Sequence, residues 1–351
     1  MIRVLLTAAM LWSCSPAEPS AVSAPSVVVQ APATLQARLE AVASGAGGQL
    51  GVAVKDLRTG WTAAVRGGDP FPQQSVFKLW VGLAVLDAAD RGVLRLDEPL
   101  VLRREDLSVF HQPVAEKVDA DGYRTTLGEL LRYMVEESDN AAADLLIRRL
   151  GGPAAVQAVL NRKGVRGIRV DRAERDLQSE ISGLRWRPEF TDPAAFERAR
   201  AAVPDHVRTR ARDLYLADAR DTATPTGTVE ALAALHEGRL LSPASTRRLL
   251  DMMRASRLGP NRLRAGLAPG WTLAHRTGSG SSWRGTTVAV NNIGLLTAPD
   301  GRTYAVAAFL KQTQAPERNR EAPLAEVARA VVAQWTAERA AAQAARERRA
   351  M

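Results

Sequence analysis

Cysteine occurs once in the chain, as Cys14, close to the N-terminus. Disulfides, thiolate nucleophiles and cysteine-based metal sites are thereby excluded from the body of the fold. Histidine is nearly as scarce. His111, His206, His236 and His275 form neither an H-x-H nor an H-E-x-x-H pair, so no metal or other cofactor is expected. A Gly-x-Ser-x-Gly elbow and a phosphate-binding glycine fingerprint are both missing, which argues against α/β-hydrolase chemistry and nucleotide binding. Lysine is limited to Lys55, Lys78, Lys117, Lys163 and Lys311, so arginine supplies nearly all of the net charge of +9. That arginine is spread along the chain, and no basic block interleaved with aromatics appears. It reads as a solvated surface, and no nucleic-acid partner is expected.

What the N-terminus does hold is a short positive start, Met1-Ile2-Arg3, followed by an apolar run from Val4 to Trp12. The run is too short to span a bilayer and has the proportions of a secretion signal's core. Leu11-Trp12-Ser13-Cys14 resembles the bacterial lipoprotein cleavage box, in which the cysteine is acylated. Residues 1–14 are therefore expected to be a lipoprotein-type signal, with Cys14 as the only membrane contact of an exported, periplasmic protein. A plain signal peptide with an incidental cysteine is the competing reading. Residues 15–34 are a Pro/Ala/Ser tether.

From there a composition of 46% hydrophobic and 24% charged residues describes an ordinary globular protein. A helix over Leu35–Ala43 leads into strand-like runs at Leu50–Val54 and Trp61–Val65, and the middle of the chain is helical. Three more strands are expected at Trp271–Arg276, Thr286–Leu296 and Thr303–Leu310, the last two joined by a turn at Pro299-Asp300-Gly301. A long helix from Ala325 closes the chain and frays into an Ala/Arg tail at 341–351. Strands at both ends with helices between them predict an α/β (α+β) fold. One antiparallel sheet is built from both termini (35–74 and 266–340) and an all-helical part is inserted over 75–265, giving one catalytic domain over 35–340.

Three short patterns carry chemistry. In Gln74-Ser75-Val76-Phe77-Lys78, the run Val76–Leu86 is apolar on nearly every face and should be a buried helix. Lys78 is its misfit, since a buried ammonium must be paired or shifted in pKa. Ser75 lies three residues away, on the same face and at the helix start, where free N–H groups can hold an oxyanion. In isolation this S-x-x-K spacing is weak. Ser138-Asp139-Asn140 follows a helix opened by a Thr126/Glu129 capping box and precedes another from about Ala141 to Leu150. The triplet occupies the turn between them, where side chains can point into a cleft, although taken alone it is better explained by helix capping. Arg276-Thr277-Gly278 ends a late strand, with Ser279 and Gly280 beyond it. An arginine fork beside a hydroxyl there suits a carboxylate.

The three patterns, in this order, resemble the signature of class A serine β-lactamases, within the penicillin-recognising serine hydrolases. The resemblance covers about Leu35 to Thr336. It implies a β-lactamase/transpeptidase-like fold and hydrolysis of penicillins or cephalosporins, giving antibiotic resistance. Ser75 would be the nucleophile, with Lys78 or Glu174 taking its proton. Ser138 would pass a proton to the leaving nitrogen, and Asn140 would bind the substrate amide. Arg276, Thr277 and Arg284 would grip the substrate carboxylate, while the N–H groups of Ser75 and Ser279 form the oxyanion hole. The segment Arg172-Ala173-Glu174-Arg175-Asp176-Leu177-Gln178 resembles the family's general-base loop, with Glu174 as base and Arg172 paired to Asp221. Glu180 and Glu189 are rival candidates.

Three departures stand out. Arg276 replaces the family's lysine, and Gln178 replaces an asparagine that helps hold the deacylating water. From Glu174 to Asp221 the chain runs 47 positions where the family has a short loop. The extra residues, about 179–220, should form helices at Pro193–Ala202 and Pro204–Ala217 with Phe196, Leu214, Tyr215 and Leu216 as apolar contacts, either a lid or a surface elaboration. Phe110 or His111 should wall the cleft. A penicillin-binding D,D-peptidase or esterase and a non-catalytic envelope sensor are the rival functions, and a monomer is expected.

Overall fold

The computed structural model describes residues 29–351. The signal reading of residues 1–14, including Cys14, and most of the tether lie outside these residues. In chain order, α1 (Ala33–Ser44), β1 (Gln49–Asp56), β2 (Thr62–Val65) and β3 (Phe71–Pro72) precede a 3₁₀ turn over Gln74–Phe77 that continues into α2 (Lys78–Asp90). The pair β4 (Pro99–Leu102) and β5 (Tyr123–Thr126) introduces α3 (Leu127–Arg132), α4 (Asn140–Leu150), α5 (Pro153–Arg162) and α6 (Glu174–Ile181). Next come α7 (Pro193–Ala201), α8 (Asp205–Ala217), β6 (Thr222–Ala223), α9 (Pro225–His236) and α10 (Pro243–Ala255). The chain closes with β7 (Thr272–Ser279), β8 (Ser282–Trp283), β9 (Thr286–Thr297), β10 (Thr303–Thr313) and α11 (Ala322–Ala350).

The main sheet is antiparallel, ordered β2-β1-β10-β9-β7 with β8 beside β9. It joins both ends of the described chain, as the strand order predicts. Strands β9 and β10 are buried along nearly their whole length, because helices cover both faces. On β10, Tyr304, Val306, Ala308 and Leu310 pack with Leu35, Leu39, Val327 and Val331 of α1 and α11. The alternate residues Ala305, Ala307 and Phe309 face the core around α2 and α9. Helix α2 is buried from Lys78 through Ala88, which explains its lack of a polar stripe: it has no solvent side.

Several local expectations change. Thr126 caps α3 by accepting from the Glu129 N–H at 3.1 Å, but the Glu129 carboxylate turns to the Tyr123 hydroxyl at 2.8 Å. The capping box is therefore half formed. Leu214 is 60% exposed, whereas Phe190 and Phe196 form a separate small core with Val109. The closing helix does not fray at 341 but runs on to Ala350.

A buried ion pair ties β1 to the β9–β10 turn: Arg302 donates to both oxygens of Asp56 at 3.1 and 2.6 Å. Both side chains are nearly inaccessible. Removing one partner strands the other charge, so Arg302→Ala should lower stability by about 3–5 kcal/mol, read from the urea midpoint. A loss under about 1 kcal/mol would mean the pair is solvated.

Candidate active site

The site begins with a backbone constraint. Gln74 has φ of 48°, a left-handed conformation that side chains other than glycine adopt only when neighbours hold them. It places Ser75 at the mouth of the turn leading into α2, partly exposed, with the fully buried Lys78 three residues on. The Lys78 Nζ lies 3.1 Å from Ser75 Oγ, 2.5 Å from Asn140 Oδ1, 2.8 Å from the Ser138 carbonyl and 2.8 Å from Glu174 Oε1. Three segments far apart in sequence, around Ser75, Ser138–Asn140 and Glu174, therefore meet on one ammonium.

Each partner is held by its own local structure. A π turn over Tyr133–Glu137 ends at Ser138, whose φ of 65° is also left-handed. Asp139 caps α4, accepting from the N–H groups of Ala142 at 2.8 Å and Val114 at 2.7 Å. In this triplet the capping and cleft-facing readings are both present, divided among its members: Asp139 caps, while Ser138 and Asn140 face Lys78. Asn140 also donates to the Val109 carbonyl at 2.7 Å. Glu174 opens α6, fully buried, with its N–H on Asp144 Oδ1 at 2.6 Å. Its side chain accepts from Ser75 Oγ at 3.2 Å and from Gln178 Nε2 at 2.9 Å. The neck of its loop is closed by Arg172 Nε on Asp221 at 2.6 Å. Glu180 is spent on Arg172 and Arg220, and the exposed Glu189 on Arg187, so neither reaches the cluster.

Arg276 is fully buried. It reaches Ser138 Oγ at 2.7 Å and the carbonyls of Val135 and Ser75 at 3.0 and 3.2 Å. It therefore stands behind Ser138 and does not open onto the cleft. Burial pushes its pKa down to about 10, still charged at neutral pH. Arg284 lies away from the cleft, paired with Asp205. The cleft itself, of about 420 Å³, is bordered by Ser75, Asn140, Gln178, Thr277, Ser279 and a residue that sequence reasoning missed, Arg262. Arg262 donates to Ser279 Oγ at 2.6 Å and to the Gly278 carbonyl at 3.2 Å, balanced by Glu321 at 2.8 Å. Nothing in its sequence context separates it from the many other arginines. Gly278 is required by close approach, since a Cβ there would sit 2.4 Å from the Gln73 carbonyl oxygen. Phe110 and His111 both border the cleft. The Phe110 ring meets Phe196 edge-on at 5.1 Å, and His111 Nε2 lies 2.7 Å from the Glu137 carbonyl.

The model of the beta-lactamase enzyme family matches residues 34–335. The chain belongs to that family. A last-common-ancestor class A β-lactamase of Gram-negative bacteria is 36% identical, with a TM-score of 0.69, over 86% of this chain and 99% of that one. A β-lactamase from Chitinophaga pinensis is 32% identical, with a TM-score of 0.70, over 85% and 97% of the two chains. The extended-spectrum β-lactamase PER-1 of Pseudomonas aeruginosa is 28% identical over 84% of this chain and 85% of that protein. The fold and the serine β-lactamase activity expected from the sequence are those of this class A group, and β-lactams are the substrates.

The electrostatics set a pH window for this β-lactamase. Burial alone would raise the Glu174 carboxyl, but the Lys78 ammonium and hydrogen bonds from Lys78, Gln178 and Ser75 outweigh it and bring the pKa below the ordinary 4.5. Burial, aided by repulsion from Arg276, lowers Lys78 below the ordinary 10.5 despite Glu174. A base with a depressed pKa works until the pH falls through it. With Glu174 and Lys78 as the expected proton-transfer pair, the kcat/KM profile should be a bell whose acid limb lies below pH 4.5 and whose basic limb lies below 10.5, as two titrating partners require. An acid limb above about pH 5 would contradict the Lys78–Glu174 pairing.

Proposed function

We propose that Ser75 attacks the lactam carbonyl and that Glu174 serves both half-reactions. The observation that carries this reading is the Ser75 hydroxyl lying between Lys78 Nζ at 3.1 Å and Glu174 Oε1 at 3.2 Å. An ammonium has no lone pair with which to accept a proton, so the ionised carboxylate is the acceptor. As the Ser75 oxygen bonds to the carbonyl carbon, its proton passes to Glu174. The N–H groups of Ser75 and Ser279 hold the oxyanion.

The C–N bond then breaks and the nitrogen takes a proton from Ser138. Ser138 is resupplied from Lys78, 3.4 Å from its Oγ, and Lys78 from Glu174. Arg276 steadies the Ser138 oxygen while it lacks a proton. Thr277, Ser279 and Arg262 receive the substrate carboxylate, and Asn140 the amide side chain. In deacylation Glu174, with Gln178 beside it, takes a proton from water as the water attacks the ester. Returning that proton to Ser75 Oγ frees the enzyme.

The same reading places the chain outside the cytoplasm as a monomer anchored through Cys14. The pattern of residues 1–14 supports this, and among the described residues no helix is long and apolar enough to cross a membrane.

Two outcomes test this reading. Glu174→Gln should cut turnover of a chromogenic cephalosporin by about 10²–10⁴-fold, the usual worth of a general base. With the Glu174 charge gone the Lys78 pKa falls further and its neutral amine takes the Ser75 proton, so acylation persists and an acyl adduct on Ser75 should be visible by intact mass. Full turnover in that variant would remove Glu174 from the mechanism. Cys14→Ala should move the expressed protein from the membrane to the soluble periplasmic fraction; unchanged fractionation would sink the anchor.

A further inference from the structure

The insertion between α6 and β6 takes no part in the steps above, yet it touches the site from behind. Helix α8 buries one residue, Tyr215. Its phenol oxygen accepts a hydrogen bond from Gln74 Nε2 at 2.5 Å, and burial keeps the phenol uncharged by raising its pKa. Gln74 is the strained residue directly before the nucleophile. Its other amide atom, Oε1, accepts from Gln178 Nε2 at 3.2 Å, and Gln178 Nε2 also donates to Glu174 Oε2 at 2.9 Å.

The direction of this chain follows from its charged end. The Glu174 carboxylate demands a donor, so Gln178 must turn its NH₂ toward it. With one N–H on Glu174, the second meets Gln74 and requires the Gln74 oxygen. That orientation sends the Gln74 NH₂ the other way, into a buried position where only an acceptor is tolerated. Tyr215 Oη is that acceptor. If the phenol oxygen is missing, the Gln74 amide is orphaned or flips, setting donor against donor at Gln178. The Gln178 carboxamide oxygen takes part in none of these bonds and is left for the hydrolytic water.

The insertion is also braced well enough to act as a fixed support. Trp283 Nε1 donates to Thr209 of α8 at 3.1 Å, and the Arg208 guanidinium lies 3.6 Å from the Trp283 ring centroid. At the other end Phe196 of α7 backs Phe110.

We propose that Tyr215 is a positioning residue for deacylation, acting through Gln74 and Gln178 to hold Glu174 Oε2 toward the attacking water. This rests on Glu174 being the deacylating base. Acylation uses Glu174 Oε1, which Lys78 holds independently, so the two half-reactions should separate.

The test is Tyr215→Phe, with steady-state kinetics and quenched intact-mass spectrometry on a chromogenic cephalosporin. Its kcat should fall about tenfold, the worth of one buried hydrogen-bond partner. KM should fall in parallel, kcat/KM should stay within about twofold, and acylated Ser75 should accumulate. Gln74→Leu should show the same adduct, and Gln74→Leu/Tyr215→Phe should be no slower than Gln74→Leu alone. Leu214→Ala, at the exposed neighbour on α8, should match the parent. Unchanged kcat in Tyr215→Phe, or equal loss of kcat and kcat/KM without adduct, overturns the proposal. Glu174→Gln run alongside separates the causes. An adduct there but none in Tyr215→Phe overturns Tyr215 alone, whereas an adduct in neither overturns the base assignment and this proposal with it.

Discussion

The Lys78 ammonium, fully removed from water, is the constraint to which the rest of the site answers. An unpaired charge at that depth would cost several kcal/mol or lose its proton. Here the cost is offset by a carboxylate, two side-chain oxygens and a backbone carbonyl within 3.1 Å. Those same acceptors are the Ser75 hydroxyl, the Ser138–Asn140 turn and the Glu174 side chain. Satisfying one buried cation therefore brings together the residues proposed as nucleophile, proton donor and base. Ser138 accepts a left-handed backbone in the process, the kind of local strain that persists where surrounding structure over-determines it.

The architecture serves that assembly. Strand β7 runs along the edge of the sheet and presents Arg276 to the Ser75 turn, with Thr277 bordering the cleft, and Gly278 lets the two backbones close. With helices on both faces, the sheet anchors α2 from below while the helical part brings Ser138, Asn140 and Glu174 from the other side. The cleft lies at the seam between them. The inserted α7 and α8 extend the seam and reach the site through Phe196 and Tyr215, one at the Phe110 wall and one at Gln74.

Much of this was legible in the residues because the informative signals are local. Lys78 is conspicuous inside an apolar run, Ser75 is one turn away, and Ser-Asp-Asn falls where one helix stops and another starts. The insertion helices announce themselves through Pro193 and Pro204. What stayed hidden is tertiary. Arg262 is indistinguishable in a chain whose positive charge is nearly all arginine. Alternation along β7 put Arg276 on a face with Thr272, but only the packed sheet makes one of them exposed and the other wholly buried. The Gln74–Tyr215 contact joins residues 141 positions apart, with no spacing rule to reveal it. The Glu129 carboxylate accepts from the Tyr123 hydroxyl, on the strand before its helix, a partner that its capping position did not suggest.

The most direct measurement is a pH titration of Lys78 itself, by NMR of enzyme labelled with ¹³C at the lysine ε carbons. With five lysines in the chain, a Lys78→Arg sample assigns the resonance. The account predicts a midpoint below the ordinary 10.5, moving lower still when Glu174→Gln removes the neighbouring negative charge. A Lys78 midpoint at or above 10.5 that ignores Glu174→Gln would contradict it.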